Sequence, residues 1–312
     1  MSFFKTTGQL LKKTAEQFKK DDPVVYSAAI AFFTIFSLPS LLVVVVNVSN
    51  VFLGREKIKA ELEQQITSLI GPKSANQVVE IIDNGHVTGD SFLASIISIA
   101  IILFTSTVVF SFLQKALNNM WKVEPRPKRS LVKFGTDRLL SLGVIMIFVF
   151  FLLVSLVVDA SLSAMRNYVK TWSIVESEFS LVLFQGLNIG ISLAVVMVIF
   201  AFIFKTLPDV RIEWRDVWMG ALVTAILFTI GKYLIGLFLT NSNITTTYGA
   251  AGSLVGILLW VFYSTVILMI GAEFTKVYTL HRGRHIKPAK HAVNFETRVV
   301  TEDSEQPLKK ED

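Results

Sequence analysis

Six stretches of this chain are each long and apolar enough to cross a bilayer as a helix: Ser27–Leu53, Ser91–Leu117, Leu139–Ser163, Ser180–Phe204, Val217–Thr240 and Ala251–Thr279. About 20 apolar residues span a hydrocarbon core. These runs are rich in Val, Ile, Leu and Phe and are too long for strands or ordinary core helices. They also lack the alternating segments of a membrane β-barrel. Composition agrees: 52% of the 312 residues are hydrophobic and 17% are charged, which is too little polar surface to cover a soluble domain. The expected fold is therefore an all-α membrane protein, a six-transmembrane-helix bundle over residues 27–280. The first stretch is too long for a signal-peptide core, and no small-x-small cleavage site follows it. The absence of cysteine excludes disulfide frameworks, thiolate metal sites and cysteine nucleophiles.

The basic residues give an orientation. Five lie before the first span (Lys5, Lys12, Lys13, Lys19, Lys20) and six in the second loop (Lys122, Arg126, Lys128, Arg129, Lys133, Arg138). Two lie in the fourth loop (Arg211, Arg215) and seven after the last span (Arg282, Arg284, Lys287, Lys290, Arg298, Lys309, Lys310). The opposite side carries only Arg55, Lys57, Lys59, Lys73, Arg166 and Lys170. The positive-inside rule then places both termini in the cytoplasm. The net charge of +6 reads as a record of topology. No aromatic–basic platform accompanies it, so no nucleic-acid partner is expected.

Three pieces lie outside the spans. Residues 1–26 carry Phe3, Phe4, Leu10, Leu11 and Phe18 at near-helical spacing among lysines, the pattern of an amphipathic helix lying in the membrane interface. Such a helix serves as an anchor or as a lipid sensor. The first external loop, 54–90, has Ile58, Leu62, Ile66 and Leu69 every three or four residues, a break at Gly71-Pro72, and Val78, Val79, Ile81 and Ile82 beyond it. This predicts a short amphipathic helical hairpin. Residues 281–312 form a polar, charge-rich cytoplasmic tail that is expected to be disordered. His281 and His285 lie four apart with His291 nearby, but no carboxylate completes a ligand set, so a basic juxtamembrane segment is expected and no metal site. No cofactor is implied.

Polar groups in lipid cost free energy and point to function. Asn47 falls on one face of the first span with Ser37 and Ser40. Ser91, Ser95, Ser98, Thr105 and Ser106 share a face of the second span, and Gln185, Asn188 and Ser192 share one of the fourth. Such stripes either line a hydrated pathway or act as interhelical glue. Pro39 sits in the middle of the first span and should break or kink it. Lys232 and Glu273 are the deepest charges of the last two spans. At 1.5 Å per residue their axial offset is about 10–15 Å, which argues against a direct pair. Lys232 would then snorkel outward, and Glu273 would pair with Lys115. Lys232, Glu273, Asn47, Gln185 and Asn188 are the candidate substrate or proton pathway. Gly252-x-x-x-Gly256, entered through Tyr248-Gly249, permits close helix approach.

The run Tyr248-Gly-Ala-Ala-Gly-Ser-Leu-Val-Gly-Ile-Leu-Leu-Trp-Val-Phe-Tyr263, followed by Gly271-Ala-Glu-Phe-Thr275, resembles the signature of the YihY/virulence factor BrkB family. Ser27-Ala-Ala-Ile-Ala-Phe-Phe-Thr34, Asn118 to Trp121 in Ala116-Leu-Asn-Asn-Met-Trp121, Trp218-Met-Gly-Ala221 and Gly231-Lys-Tyr233 resemble further family motifs in order. Leu38-Pro39-Ser40 departs slightly from the family's first-span motif. The resemblance implies a multi-pass protein of the bacterial inner membrane. Its former ribonuclease BN label finds no support here, since no Asp, Glu and His cluster could hold two metals. No intramembrane protease arrangement occurs either, so the chain is not expected to be an enzyme. No nucleotide-binding G-x-x-x-x-G-K-[ST] run is present. Two readings follow: a transporter or flippase-like exporter of a lipid or small polar envelope solute, or a non-transporting scaffold for envelope assembly or integrity. Membrane lipids and an unidentified envelope substrate are the expected partners, and self-association is left open.

Overall fold

A left-handed backbone at Asp22 (φ 46°, ψ 53°) separates the first two helices, α1 (Ser2–Asp21) and α2 (Pro23–Leu53). Asp is among the few residues that tolerate this region, and Pro23 suits the first turn that follows it. The computed structural model describes residues 2–70, 75–76, 78–80, 83, 100–101, 104–126, 135–147, 149–150, 154, 178–241 and 251–295. Further elements are α3 (Arg55–Ile70), α4 (Val108–Met120), β1 (Val123–Pro125), α5 (Glu178–Thr206), β2 (Val210–Arg211), α6 (Trp214–Asn241), α7 (Gly252–His281), β3 (Lys287–Pro288) and β4 (Ala292–Asn294). Residues 135–147 are also helical.

Among the described residues four helices are long and apolar enough to cross a membrane: Pro23–Asn50, Ile189–Thr206, Trp214–Phe238 and Leu254–His281. They fall on the first, fourth, fifth and sixth apolar stretches. The second stretch is described in its latter part, as α4 and the turn before it, and the third only near its start. Exposed Phe32, Phe36, Tyr233, Leu234, Leu237 and Phe238 coat the outside, as expected where the solvent is hydrocarbon.

α2 runs unbroken through Pro39, so the expected break does not occur. The proline removes one helix hydrogen bond, but neighbouring helices and hydroxyls can absorb that loss in a membrane. At the very next residue, Thr105 Oγ1 lies 2.6 Å from Ser40 Oγ and ties the second apolar stretch to α2. The helix before α4 does break, at Thr107, which adopts a turn. Arg138 covers the break: its Nη1 donates to Thr107 Oγ1 at 2.6 Å and to the Phe104 carbonyl at 3.4 Å, and its guanidinium lies 4.4 Å from the centre of the Phe104 ring.

α6 and α7 approach at glycines. A Cβ on Gly220 would lie 1.8 Å from Thr275 Oγ1, and one on Gly271 would lie 1.8 Å from Thr224 Oγ1. The two contacts are reciprocal, with each helix supplying one glycine and one threonine four residues later. Gly252 and Gly256, the pair singled out for packing, are buried in the first turns of α7. Tyr248 and Gly249 lie outside the described residues.

The core gathers around Leu117, Met120, Trp121, Phe204, Val217 and Met269, each at most 3% exposed. Trp121 meets Phe204 edge to face at 6.2 Å and donates Nε1–H to the Ala272 carbonyl at 3.2 Å. Ile58 and Leu62 of α3 pack with Val78 against Leu42 and Val46 of α2 and Ile257 of α7. An ion pair of 2.7 Å, Lys59 to Asp83, joins α3 to the return segment. α1 buries Leu10 against Phe274 and Val277 of α7, so it is seated on the bundle as well as being amphipathic.

The stretch after α7 departs from the expected disordered tail. β3 pairs with β2 and β4 with β1, both antiparallel. The Ala289 N–H reaches the Asp209 carbonyl at 2.8 Å, and the Phe295 N–H reaches the Lys122 carbonyl at 3.0 Å. Backbone groups beyond the last span thus find partners on the two inter-helix segments, a strap that composition could not reveal. Residues 296–312 lie outside the described residues.

Candidate functional site

Two larger cavities are found among the described residues. The first holds about 500 Å³ and lies between α2, α4, α5, α6 and α7, with α3 at one end. Its wall is almost wholly hydrocarbon: Ile30, Leu41, Phe110, Phe200, Phe228 and Trp260 are representative, and Ile66 of α3 and Val78 also line it. Thr34 and Thr265 turn their hydroxyls back onto helix carbonyls. Ser264 Oγ is buried with no hydrogen-bond partner among the described residues.

The second cavity holds about 640 Å³ and opens at the end of the bundle that carries α1 and the strap. Its wall includes Tyr26, Ser111, Gln114, Lys115, Asn118, Asp137, Arg138 and Asp209. Ser111, Gln114, Lys115, Asn118 and Asn119 recur three or four apart on α4, so the helix turns one polar face to this cavity. Asp209, 6% exposed, is its best-held group. Asn118 clasps it at both ends, donating Nδ2–H to Oδ2 at 2.8 Å and accepting the Asp209 backbone N–H at 2.7 Å. His291 Nε2 from the strap stands 2.7 Å from the other carboxylate oxygen. Asn118→Ala should therefore lower stability by about 2–3 kcal/mol, because it strips hydrogen bonds from a buried carboxylate. Thermal unfolding in mild detergent reads this, and an unchanged midpoint would exclude the clasp.

A separate charged cluster lies beneath α7. Asp21, with a fully buried side chain, meets Lys122 at 2.7 Å and Lys276 at 3.2 Å. Lys276 also donates to the Met120 carbonyl at 2.7 Å and stands 3.0 Å from Glu273 Oε1. A third group fixes the strap's start: Arg284 reaches Asp216 at 2.7 Å and Glu213 at 3.0 Å. The hydrogen bond to Asp216 holds the guanidinium above its ordinary pKa.

The sequence profile described as Virulence factor BrkB matches residues 14–296. The chain belongs to the virulence factor BrkB family. Similar proteins include a UPF0761 membrane protein of Psychromonas ingrahamii, 27% identical over 88% of this chain and 89% of the relative. Another, of Idiomarina loihiensis, is 25% identical over 88% of this chain and 92% of the relative. A third, of Psychrobacter sp. (strain PRwf-1), is 26% identical over 87% of this chain, which spans only about half (48%) of that longer protein. No solved structure matches the chain. It is an integral membrane protein of this family.

Asn118 and Trp121, singled out in the sequence by resemblance to a family motif, lie at the joint between helices and strap, one on Asp209 and the other on Ala272. The proposed pathway residues are not brought together. Lys232 is half-buried on α6, lines neither cavity and has no ion pair among the described residues. Glu273 is fully buried in the Asp21 cluster. Its partner is Lys276, three residues on, and not Lys115, which is exposed on the polar cavity. Asn47 donates its amide to its own helix at the Val43 carbonyl, 2.8 Å away. Gln185 and Asn188 sit on α5, with side chains outside the described residues. His291 belongs to Asp209, while His281 and His285 are exposed. The reading missed Asp21, Lys122, Lys276 and Asp209. Only Lys276 carried a legible signal, its i,i+3 spacing from Glu273.

Proposed function

We propose that this family member is a non-enzymatic carrier that moves a membrane lipid across the bacterial inner membrane. In this reading six spans cross the bilayer with both termini in the cytoplasm, following the excess of basic residues on that side. The apolar cavity carries the reading. Well-packed interiors hold few voids larger than a water molecule. Ligand sites commonly fall between about 300 and 1,000 Å³, and a space of about 500 Å³ walled by aliphatic and aromatic side chains suits hydrocarbon. A hydrated polar solute would find almost no hydrogen-bond partner there. A scaffold would be expected to fill its core.

Reconstitution into vesicles carrying a fluorescently labelled lipid tests this. The wild-type chain should move label between leaflets. Ser264→Phe, which fills the cavity from its wall, should bring the rate down to that of protein-free vesicles while leaving the melting midpoint in place. Lipid movement no faster in wild-type vesicles than in empty ones would sink the carrier reading.

A further inference from the structure

We propose that α1 is an arm that grips the anionic surface of the membrane leaflet on its side of the bundle, with Leu11 and Ala15 entering the edge of the hydrocarbon and Lys12 and Lys19 meeting phospholipid phosphates. That leaflet is the inner one in the orientation proposed above, and the arm works in the same way whatever the apolar cavity carries.

The most apolar side of α1 is spent on the protein itself. Leu10, Thr14 and Asp21 are buried, and Gln17 and Phe18 are half-buried. These positions are three or four apart and form one stripe. Leu10 packs on Phe274 and Val277, Phe18 packs against the main core, and Asp21 meets Lys276. From Leu10 to Asp21 the helix rises about 16 Å. Both positions nevertheless meet α7 within one turn of it, between Phe274 and Val277. α1 therefore lies across α7, close to the plane of the membrane surface, and does not run along it.

The contacts on its two flanks tell which one looks into the bilayer. Lys13, Glu16 and Gln17 border a crevice of about 360 Å³ with Val277, Leu280 and His281, at the end of α7. That flank looks toward the end of the span. Leu11, two residues from Lys13, stands about 200° away around the helix and looks the other way, into the hydrocarbon. Phe18, seven residues after Leu11 and so on the same flank, gives the same direction by packing into the core. Leu11 is 54% exposed, and Ala15, one turn on, is exposed beside it. Apolar groups so placed suit the boundary between headgroups and acyl chains.

Charge identifies the leaflet. Lys12 and Lys19 are seven residues apart, nearly two turns, and stand in one row about 10 Å long. The row borders Leu11 and Ala15 on the side away from α7, where the headgroups of neighbouring lipids lie. Both lysines are exposed. Lys12 has an exposed contact of 4.0 Å with Glu16, a kind of pairing that contributes little. α1 exposes Lys12, Lys13, Lys19 and Lys20 against Glu16, with Asp22 just beyond its end. Cations prevail, so the complementary surface is anionic. A lysine beside apolar groups can lay its stem on acyl chains and raise its ammonium to a phosphate. An acidic protein would match the lysines and leave Leu11 and Ala15 without an apolar partner.

The chain has no cysteine, so a single introduced thiol can be labelled alone. The full chain carrying Leu11→Cys or Lys13→Cys is labelled with an environment-sensitive fluorophore and placed in nanodiscs of phosphatidylcholine mixed with phosphatidylglycerol. The label at 11 should be quenched by brominated lipid chains and shielded from aqueous acrylamide, and the label at 13 should show the reverse. At equal mole fraction, brominated phosphatidylglycerol should quench the label at 11 several-fold more than brominated phosphatidylcholine, since one lysine near the surface favours anionic lipid by about fivefold. Lys12→Gln with Lys19→Gln should bring the two lipids level, and Lys12→Arg with Lys19→Arg should keep them apart. Raised salt should shrink the difference. All four replaced positions are exposed, so an unchanged melting midpoint is expected of each variant.

Equal acrylamide quenching at 11 and 13 would overturn the proposal. So would equal quenching by the two lipids, or a preference for phosphatidylglycerol that survives the paired Lys→Gln changes. A label at 11 shielded from acrylamide and from both lipids would also overturn it, in favour of a protein covering this face. None of these outcomes bears on the carrier reading, which is decided by lipid movement between leaflets.

Discussion

Asp21→Ala should be the most damaging single substitution in the charged cluster, lowering stability by roughly 3–5 kcal/mol, the usual cost of leaving a buried charge without its partner. The Asp21 side chain is fully buried, that of Lys276 is 11% exposed and that of Lys122 is 29% exposed, so solvent screening does little to soften the loss. One carboxylate joins three parts of the chain: the end of α1, the turn after α4 and the last third of α7. Its removal leaves two lysines facing Glu273 alone. The companion variant isolates the electrostatic cause. Lys276→Met added to Asp21→Ala should recover part of the lost stability, because it withdraws an uncompensated cation, and so the two changes should be strongly non-additive. Detergent melting or SDS titration of the four proteins gives the coupling. Additive losses, or an Asp21→Ala protein as stable as the wild type, would refute this role.

Gly271→Ala should lose about 3 kcal/mol or more, at the upper end for an overpacked core. The new methyl would sit 1.8 Å from Thr224 Oγ1 and 2.8 Å from its Cβ. That threonine is fully buried and holds the Gly220 carbonyl at 2.7 Å, so it cannot swing aside without losing a hydrogen bond. Relief requires α6 and α7 to separate. That would also loosen the mirror contact, where Thr275 holds the Gly271 carbonyl at 2.7 Å and presses on Gly220. Thr224→Ala in the same chain should return part of the loss, but not all, since the threonine Cβ remains close. A Gly271→Ala protein that melts with the wild type would show that the helices are further apart than described.

Much of the helical frame was legible because a membrane leaves few options. The first, fourth, fifth and sixth apolar stretches coincide with α2, α5, α6 and α7. The repeat Ile58, Leu62 predicts the buried face of α3 because 3.6-residue periodicity survives in any solvent. The offset between Lys232 and Glu273 argues against pairing them, since rise per residue is a rigid quantity, and Glu273 meets Lys276. Partner choice was not legible. Depth alone points Glu273 toward Lys115, and depth says nothing about which way a helix face points. Asp209 follows Leu207-Pro208 with no helical or strand pattern around it; its partners are Asn118, 91 positions earlier, and His291, 82 later. The apolar cavity left no trace in the sequence, because its lining residues are the same Ile, Leu, Val and Phe that would fill a solid core.

The strap carries a consequence for how this protein is made. Phe295 closes one edge of the polar cavity, and its backbone is held by Lys122, more than half the chain earlier. Strands β1 and β2 leave the ribosome long before the segments that pair with them. During synthesis each exposes unpaired backbone at the membrane surface until α7 has inserted and brought β3 and β4 within reach. The strap end of the bundle is therefore completed last, after α7 has been made.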